Sequence, residues 1–223
     1  MNTFGDKIKI TVFGQSHADA IGVVIDGLPA GESVDTDAVN AFLSRRAPGQ
    51  NEMSTARKES DKAEFLSGLV NGKTCGAPVS AVIYNKDMRS KDYSELAYKP
   101  RPSHADYPAR VRFGESYDLR GGGQFSGRLT APLCIAGSVI MQLLERREIF
   151  IGAHIYSICG IKDEPFDKCG VTPESFEKIR QNNLPVIDYS AGIRMRERII
   201  QAKSALDSVG GVIECAAIGL VQA

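Results

Sequence analysis

The tetrapeptide Ser-His-Ala-Asp stands twice in this chain, as Ser16-His17-Ala18-Asp19 and as Ser103-His104-Ala105-Asp106, and it takes two of the three histidines. Imidazole gives or takes a proton near neutral pH. A histidine with a hydroxyl just before it and a carboxylate two residues after it therefore suits general acid–base work. His154, inside the apolar run Ile-Gly-Ala-His-Ile, reads instead as a hydrogen-bonding residue of a core strand. Serine hydrolysis is set aside, because adjacent loop residues rarely converge into nucleophile, base and orienter, and no Gly-x-Ser-x-Gly elbow is present.

A second constellation is cationic. Lys99, Arg101, Arg110, Arg112, Arg120 and Arg128 meet only Asp106, Glu115 and Asp118 over residues 99–128. The guanidinium fork matches carboxylate and phosphate, so such a cluster suggests a small anionic guest; a solvated loop face is the plainer reading. Within it, LRGGGQFSGRLTAPL runs from a glycine triplet straight into a long apolar segment. Glycines let backbone N–H groups approach a ligand, and a helix N-terminus favours anions. The loop lacks the Walker Gly-Lys-Ser/Thr ending and follows no clear strand, so by itself it could equally be a turn before a helix.

These residues need elements to hold them. KIKITVF over 7–13 alternates with the period of a half-buried strand, and a second strand over 21–26 places the first histidine in the loop between the two. A short helix is expected over 37–46, stopped by Ala47-Pro48-Gly49. Further strands are expected over 64–70 and 78–85. Regular periodicity then fails from 85 to 128, and structureless loops of that length are uncommon unless they carry function. Beyond it come a helix apolar nearly all round over 129–147, a strand near 151–160, a helix opened by Thr172-Pro173-Glu174, a helix near 192–207 and a strand from 211. The flanks of the two Ser-His-Ala-Asp copies differ, which excludes an architectural repeat.

Composition bounds the rest. With 27 basic and 27 acidic residues, the chain of 223 residues has no charge excess to attract nucleic acid or an anionic membrane, and the arginines lack interleaved aromatics for stacking bases. No positive leader precedes an apolar stretch and no run of eighteen apolar residues occurs, so a cytoplasmic location without membrane insertion is expected. Five cysteines without metal-type spacing read as reduced thiols, most of them buried, and no metal is expected.

Three stretches together are more specific: FGQSHADAIGVVIDGLPAG, RRAPGQNEMSTARKESD, and RPSHADYPAR followed by LRGGGQFSGRLTAPL. In order and spacing they resemble the signatures of chorismate synthase, over essentially the whole chain. The resemblance implies an α+β fold, a β-α-β sandwich with helices packed between antiparallel sheets, here a single domain over 1–223. It implies a lyase that removes phosphate and a proton from 5-enolpyruvylshikimate 3-phosphate in a 1,4-anti elimination to give chorismate. Reduced FMN is required without net redox change, NADPH is a candidate reductant, and the assembly is a homotetramer.

Residue by residue, the resemblance makes His17 the histidine that protonates the reduced flavin and His104 the one near the departing phosphate or the flavin. Arg46 matches an arginine shared by flavin and substrate, Arg101 and Arg128 match substrate arginines, and Ser16 lies beside the first histidine on the substrate side. Gln124, Phe125 and Ser126 fall where the family contacts FMN. Departures occur at Gly14-Gln15-Ser16-His17-Ala18, where the family reads GESHG, at Pro102-Ser103-His104, where it reads PGH, and at Glu52, where a basic residue is usual. The family also continues beyond Ala223 with further flavin contacts, another substrate arginine and an aspartate. Lost positioning can cost orders of magnitude in rate, so the expectation is weak or no activity for this polypeptide alone. The alternative is a truncated homologue that binds flavin or anions without catalysis.

Overall fold

The computed structural model describes residues 2–47, 53, 61–85, 99–118 and 120–220. They fall into two compact units, one from Met1–Pro48 and Arg57–Gln142, the other from Gly49–Ala56 and Leu143–Ala223.

In the first unit β1 (Thr3–Phe4), β2 (Lys9–Gly14) and β3 (Ala20–Asp26) form a meander. Helix α1 (Thr36–Ser44) follows, and then β4 (Glu64–Ser67), β5 (Leu69–Val70), β6 (Lys73–Thr74) and β7 (Val79–Tyr84). The main sheet is antiparallel in the order β1-β2-β3-β7-β4. Strand β3 is its centre, which is why Ile21, Val23 and Ile25 are all buried and its sequence reads as one apolar run.

The pairing of β3 decides where chemistry can sit. Gly14 pairs with Ile21 and Ala20 pairs with Tyr84. The first histidine loop is therefore the tip of the β2–β3 hairpin, and the residue after β7, Asn85, arrives beside it. Asp35 caps α1, its side chain accepting from the N–H groups of Asp37 and Ala38, and Val39 and Leu43 bury the apolar stripe.

Expectation and structure differ at two places here. The strand expected over 64–70 breaks at Gly68, which takes φ +84° with its α-carbon against the Val79 backbone. Asn71-Gly72, both at positive φ, then close a two-residue hairpin between β5 and β6 where sequence suggested only a spacer. In the segment without periodicity, Asp106–Phe113 forms helix α2. It buries only Asp106 and Ala109, so no apolar stripe marks it; Asp106 in its first turn and Arg110 and Arg112 in its last complement the helix dipole instead.

Helix α3 (Thr130–Glu145) buries one face through Ala131, Ile135, Ala136 and Val139, while Leu133 on another face is 41% exposed. The stretch Gly127–Glu145 is long and apolar enough to cross a membrane by length and composition, and 44% of its most apolar window is buried in the protein.

The second unit contains β8 (Phe150–Ile158), β9 (Ile161–Lys162), α4 (Pro173–Gln181), α5 (Tyr189–Ser204) and β10 (Gly211–Ile218), with the antiparallel strand order β10-β8-β9. Thr172 and Ser175 form a reciprocal capping box ahead of Pro173, as the sequence suggested for α4. Two apolar clusters hold the unit. Ile158, Val186, Ala191 and Met195 seat α5, while Phe166, Phe176 and Ile179 seat α4, with the Phe176 ring lying directly on the α-carbon of Gly152.

All five cysteines are free, but Cys75, Cys159, Cys169 and Cys215 are exposed and Cys134 is half-buried, against the expectation of mostly buried thiols. Three of the four exposed ones occupy turns or strand ends, and Cys215 lies on an outward position of β10.

Candidate active site

The two Ser-His-Ala-Asp copies adopt different structures, as expected of a coincidence of sequence and not of a repeat. In the first, Ser16 and His17 are buried at the hairpin tip, His17 only 3% exposed, with the Ser16 hydroxyl 3.0 Å from Nδ1. In the second, His104 is exposed and Ser103 takes the left-handed φ +62°, a strained conformation for a non-glycine residue. Asp106 of this copy is buried and grips Arg101: Nε donates to Oδ2 at 2.8 Å and Nη2 to Oδ1 at 2.9 Å. That fork, first among several causes, holds the Asp106 carboxyl below the usual carboxylate range.

The glycine triplet lies between the copies. Gly121, Gly122 and Gly123 all have positive φ, a conformation that glycine alone adopts freely. A Cβ on Gly121 would stand 2.2 Å from His17 Cε1, so the bare α-carbon is what lets the histidine ring lie against this loop. Ser16 N–H donates to the Gly123 carbonyl at 3.1 Å, and the Tyr117 hydroxyl lies 3.2 Å from the Gly122 carbonyl. Arg101 Nη2 comes near Gly122 on the other side. His17, the triplet, Arg101, Asp106 and the His104 loop are thus joined by consecutive contacts within one unit. His104 N–H donates to the Arg101 carbonyl at 3.3 Å.

The cationic cluster is more neutralised than its sequence count suggests. Arg101 is forked on Asp106 and Arg120 on Asp118, which lowers the Asp118 carboxyl below its ordinary range. Arg128, 7% exposed, pairs with a carboxylate from outside the segment: its Nη1 donates to Asp61 Oδ1, and its Nε donates to Asn85 Oδ1 at 3.2 Å. The second oxygen of Asp61 accepts from Arg46 Nη1 at 2.7 Å. Arg46 sits just past the end of α1, more exposed than Arg128, with Nε 3.2 Å from Thr130 Oγ1. Removing one partner of such a buried pair costs about 3–5 kcal/mol, whereas the whole pair contributes little net stability, so orientation is the better account of its presence.

Ser126 accepts from the Arg128 N–H and turns the chain toward α3. Gln124 and Ser126, with Val12, Gly14, Leu129 and Leu133, line a cleft of about 260 Å³. The Phe125 ring is 47% exposed and tilts against Phe113 and Tyr117 at 6.3 and 6.1 Å. An exposed ring, an amide and a hydroxyl beside glycine backbone suit one edge of a flat aromatic guest.

Asp61 and Asn85 were missed by sequence reasoning. Asp61 closes the quoted stretch RRAPGQNEMSTARKESD and Asn85 follows β7, and nothing local marks either as a partner of Arg128. Glu52, a departure noted above, lies outside the described residues. His154, as expected, is structural: Nδ1 and Nε2 lie 2.8 Å from Asp163 Oδ2 and Glu214 Oε2, and its contact, first among the causes, holds the Glu214 carboxyl low.

Fold and site define an α+β protein that gathers imidazole and guanidinium groups around a glycine-rich loop. A family model described as chorismate synthase matches residues 8–223, and the chain belongs to the chorismate synthase family. It is 40% identical over 230 residues to a chorismate synthase of Lancefieldella parvula, covering 98% of this chain and 60% of that protein. It is 42% identical over 231 residues to one of Methanocaldococcus jannaschii, with 99% and 60% coverage. A solved structure titled "Crystal Structure of Chorismate Synthase" superposes with TM-score 0.75 at 26% identity, covering 96% of this chain and 58% of that one. The chain spans about three-fifths of the length of these relatives.

Proposed function

We propose that this chain carries the substrate-side half of a chorismate synthase site and takes part in the elimination of phosphate from 5-enolpyruvylshikimate 3-phosphate. In that reaction the C–O bond to phosphate breaks, a ring proton leaves from the opposite face, and chorismate and inorganic phosphate result. Family membership supports the reading. The observation that carries it is the seating of the His17 ring against Gly121, in the unit that also holds Arg46 and Arg128 on Asp61.

A substrate with one phosphate and two carboxylates needs several guanidinium groups. Arg46 and Arg101, both partly exposed, would meet it directly; Arg128, largely buried, would contribute field from behind. His17, its plane fixed by Ser16 and Gly121, would hold or pass a proton at the ring, and exposed His104 would do so nearer the departing phosphate. Gln124, Phe125 and Ser126, with Arg46, would hold reduced FMN, which when bound supplies the electron-rich ring system that this elimination requires. A homotetramer, NADPH as flavin reductant, a cytoplasmic location, and no nucleic-acid or membrane partner complete the reading that the resemblance implies.

Anaerobic incubation with reduced FMN and substrate tests it. Slow release of inorganic phosphate in step with chorismate, in line with the weak activity expected of this polypeptide alone, is the expected result. Binding of both ligands without release would replace this reading by that of a flavin- and anion-binding homologue.

A further inference from the structure

Asp61 is a charged side chain with no exposed surface, a position charged groups occupy only when paired. Its two oxygens divide between guanidiniums from two distant places, Arg46 behind α1 and Arg128 ahead of α3. Arg128 hands the connection on, Nε donating to Asn85 Oδ1. Asn85 then uses its amide nitrogen on the loop that carries the first histidine, donating to the Ala18 carbonyl at 2.7 Å and the Gln15 carbonyl at 3.3 Å. Its backbone N–H donates to the Asp19 carbonyl at 2.9 Å. Ser16 and His17 lie between those anchored carbonyls. We infer that Asp61 and Asn85 are positioning residues: together they lock the two arginines and the His17 loop into one geometry, so that imidazole and guanidinium keep a fixed mutual placement.

The alternative is that the network serves only stability. Two features oppose it. Buried ion pairs often stabilise no more than well-packed apolar residues of the same volume, and in some proteins they instead specify orientation. And every polar atom of the Asn85 side chain is committed to either the histidine loop or Arg128, with none spent on the sheet that Asn85 ends.

The test uses the full chain and begins without any reaction, resting on the functional reading only in its last arm. In the wild type, NMR should show a strong nuclear Overhauser contact between the His17 ring and the Gly121 α-protons. Asn85→Ala should weaken or abolish that contact and shift the His17 ring resonances, while those of His104 stay in place. Val39→Ala, a cavity on α1, is the control for lost stability and should leave the contact intact. A His17 contact unchanged in Asn85→Ala, or lost equally in Val39→Ala, would overturn the inference. Asp61→Asn should move the side-chain resonances of both Arg46 and Arg128; movement of neither, in a chain that remains folded, would overturn it too. In the elimination assay Asn85→Ala should lower kcat on the order of 10- to 100-fold with KM within about twofold, as misplacement of a catalytic group does. An inactive wild type would sink the functional reading and leave the NMR comparison to decide this one.

Discussion

The Nδ1 edge of the His17 ring meets both the Ser16 hydroxyl and the α-carbon of Gly121. Gly121→Ala would place a methyl group into the ring and a Cβ on a residue at φ +60°. The expected loss is about 2–4 kcal/mol of stability, read from urea unfolding, with phosphate release falling with it. At the second histidine loop the Arg101 fork depresses the Asp106 carboxyl. A carboxyl whose folded pKa is lowered stabilises fully above its unfolded value, near 3.9, and ceases to do so as pH falls through the folded one. Asp106→Asn should therefore cost about 1–3 kcal/mol at pH 7, and the gap between wild type and variant should close below about pH 4. A gap constant down to pH 3 in urea midpoints would argue against this pair as its source. At this scale much was legible: Ser16, His17, Arg46, Arg101, His104 and Arg128 were singled out from side-chain chemistry and resemblance. What was not legible was who neutralises whom, because Asp61 comes to Arg128 from 67 residues away in the chain.

Strands and helices whose apolar spacing is strong were read close to their true bounds. The β2–β3 hairpin, α1, α3 and the capping box of α4 all fall where periodicity and caps put them. Helix α2 escaped because its support is electrostatic and not apolar, and the strand over 64–70 was overextended because glycine at Gly68 permits a break that alternation conceals. Cap chemistry gives the element-scale prediction. Thr172→Ala removes the acceptor for the Ser175 N–H at 3.3 Å and should destabilise the second unit by about 1 kcal/mol, with loss of helical circular dichroism at a lower denaturant concentration. No change in the transition would mean the Pro173 turn suffices to start α4.

Over the whole molecule the thiols give the broadest check. Four exposed cysteines should react quickly with a disulfide reagent in the native chain, while Cys134, whose thiol burial pushes up, should react slowly until denaturant is added. Five equally fast thiols would contradict the packing of α3. Charge balance belongs to this scale as well: with equal numbers of acids and bases, any attraction for anions must be local, and the structure narrows it further by pairing three of the loop arginines with aspartates, two of them as forks. The sequence by itself determined the α+β class, the order of the main elements and the family, and nominated the residue types of the candidate site, since each follows from local spacing or from motifs contiguous in the chain. Only the tertiary structure decided that Asp61 binds Arg46 and Arg128, that Asn85 binds Arg128 and the His17 loop, that the glycine triplet leaves room for the His17 ring, and that the two Ser-His-Ala-Asp copies differ in burial and backbone. Strand pairing brings residues 15–19 and 85 together, and side-chain and loop hydrogen bonds add 61 and 121–128; no local pattern records contacts between residues so far apart in the chain.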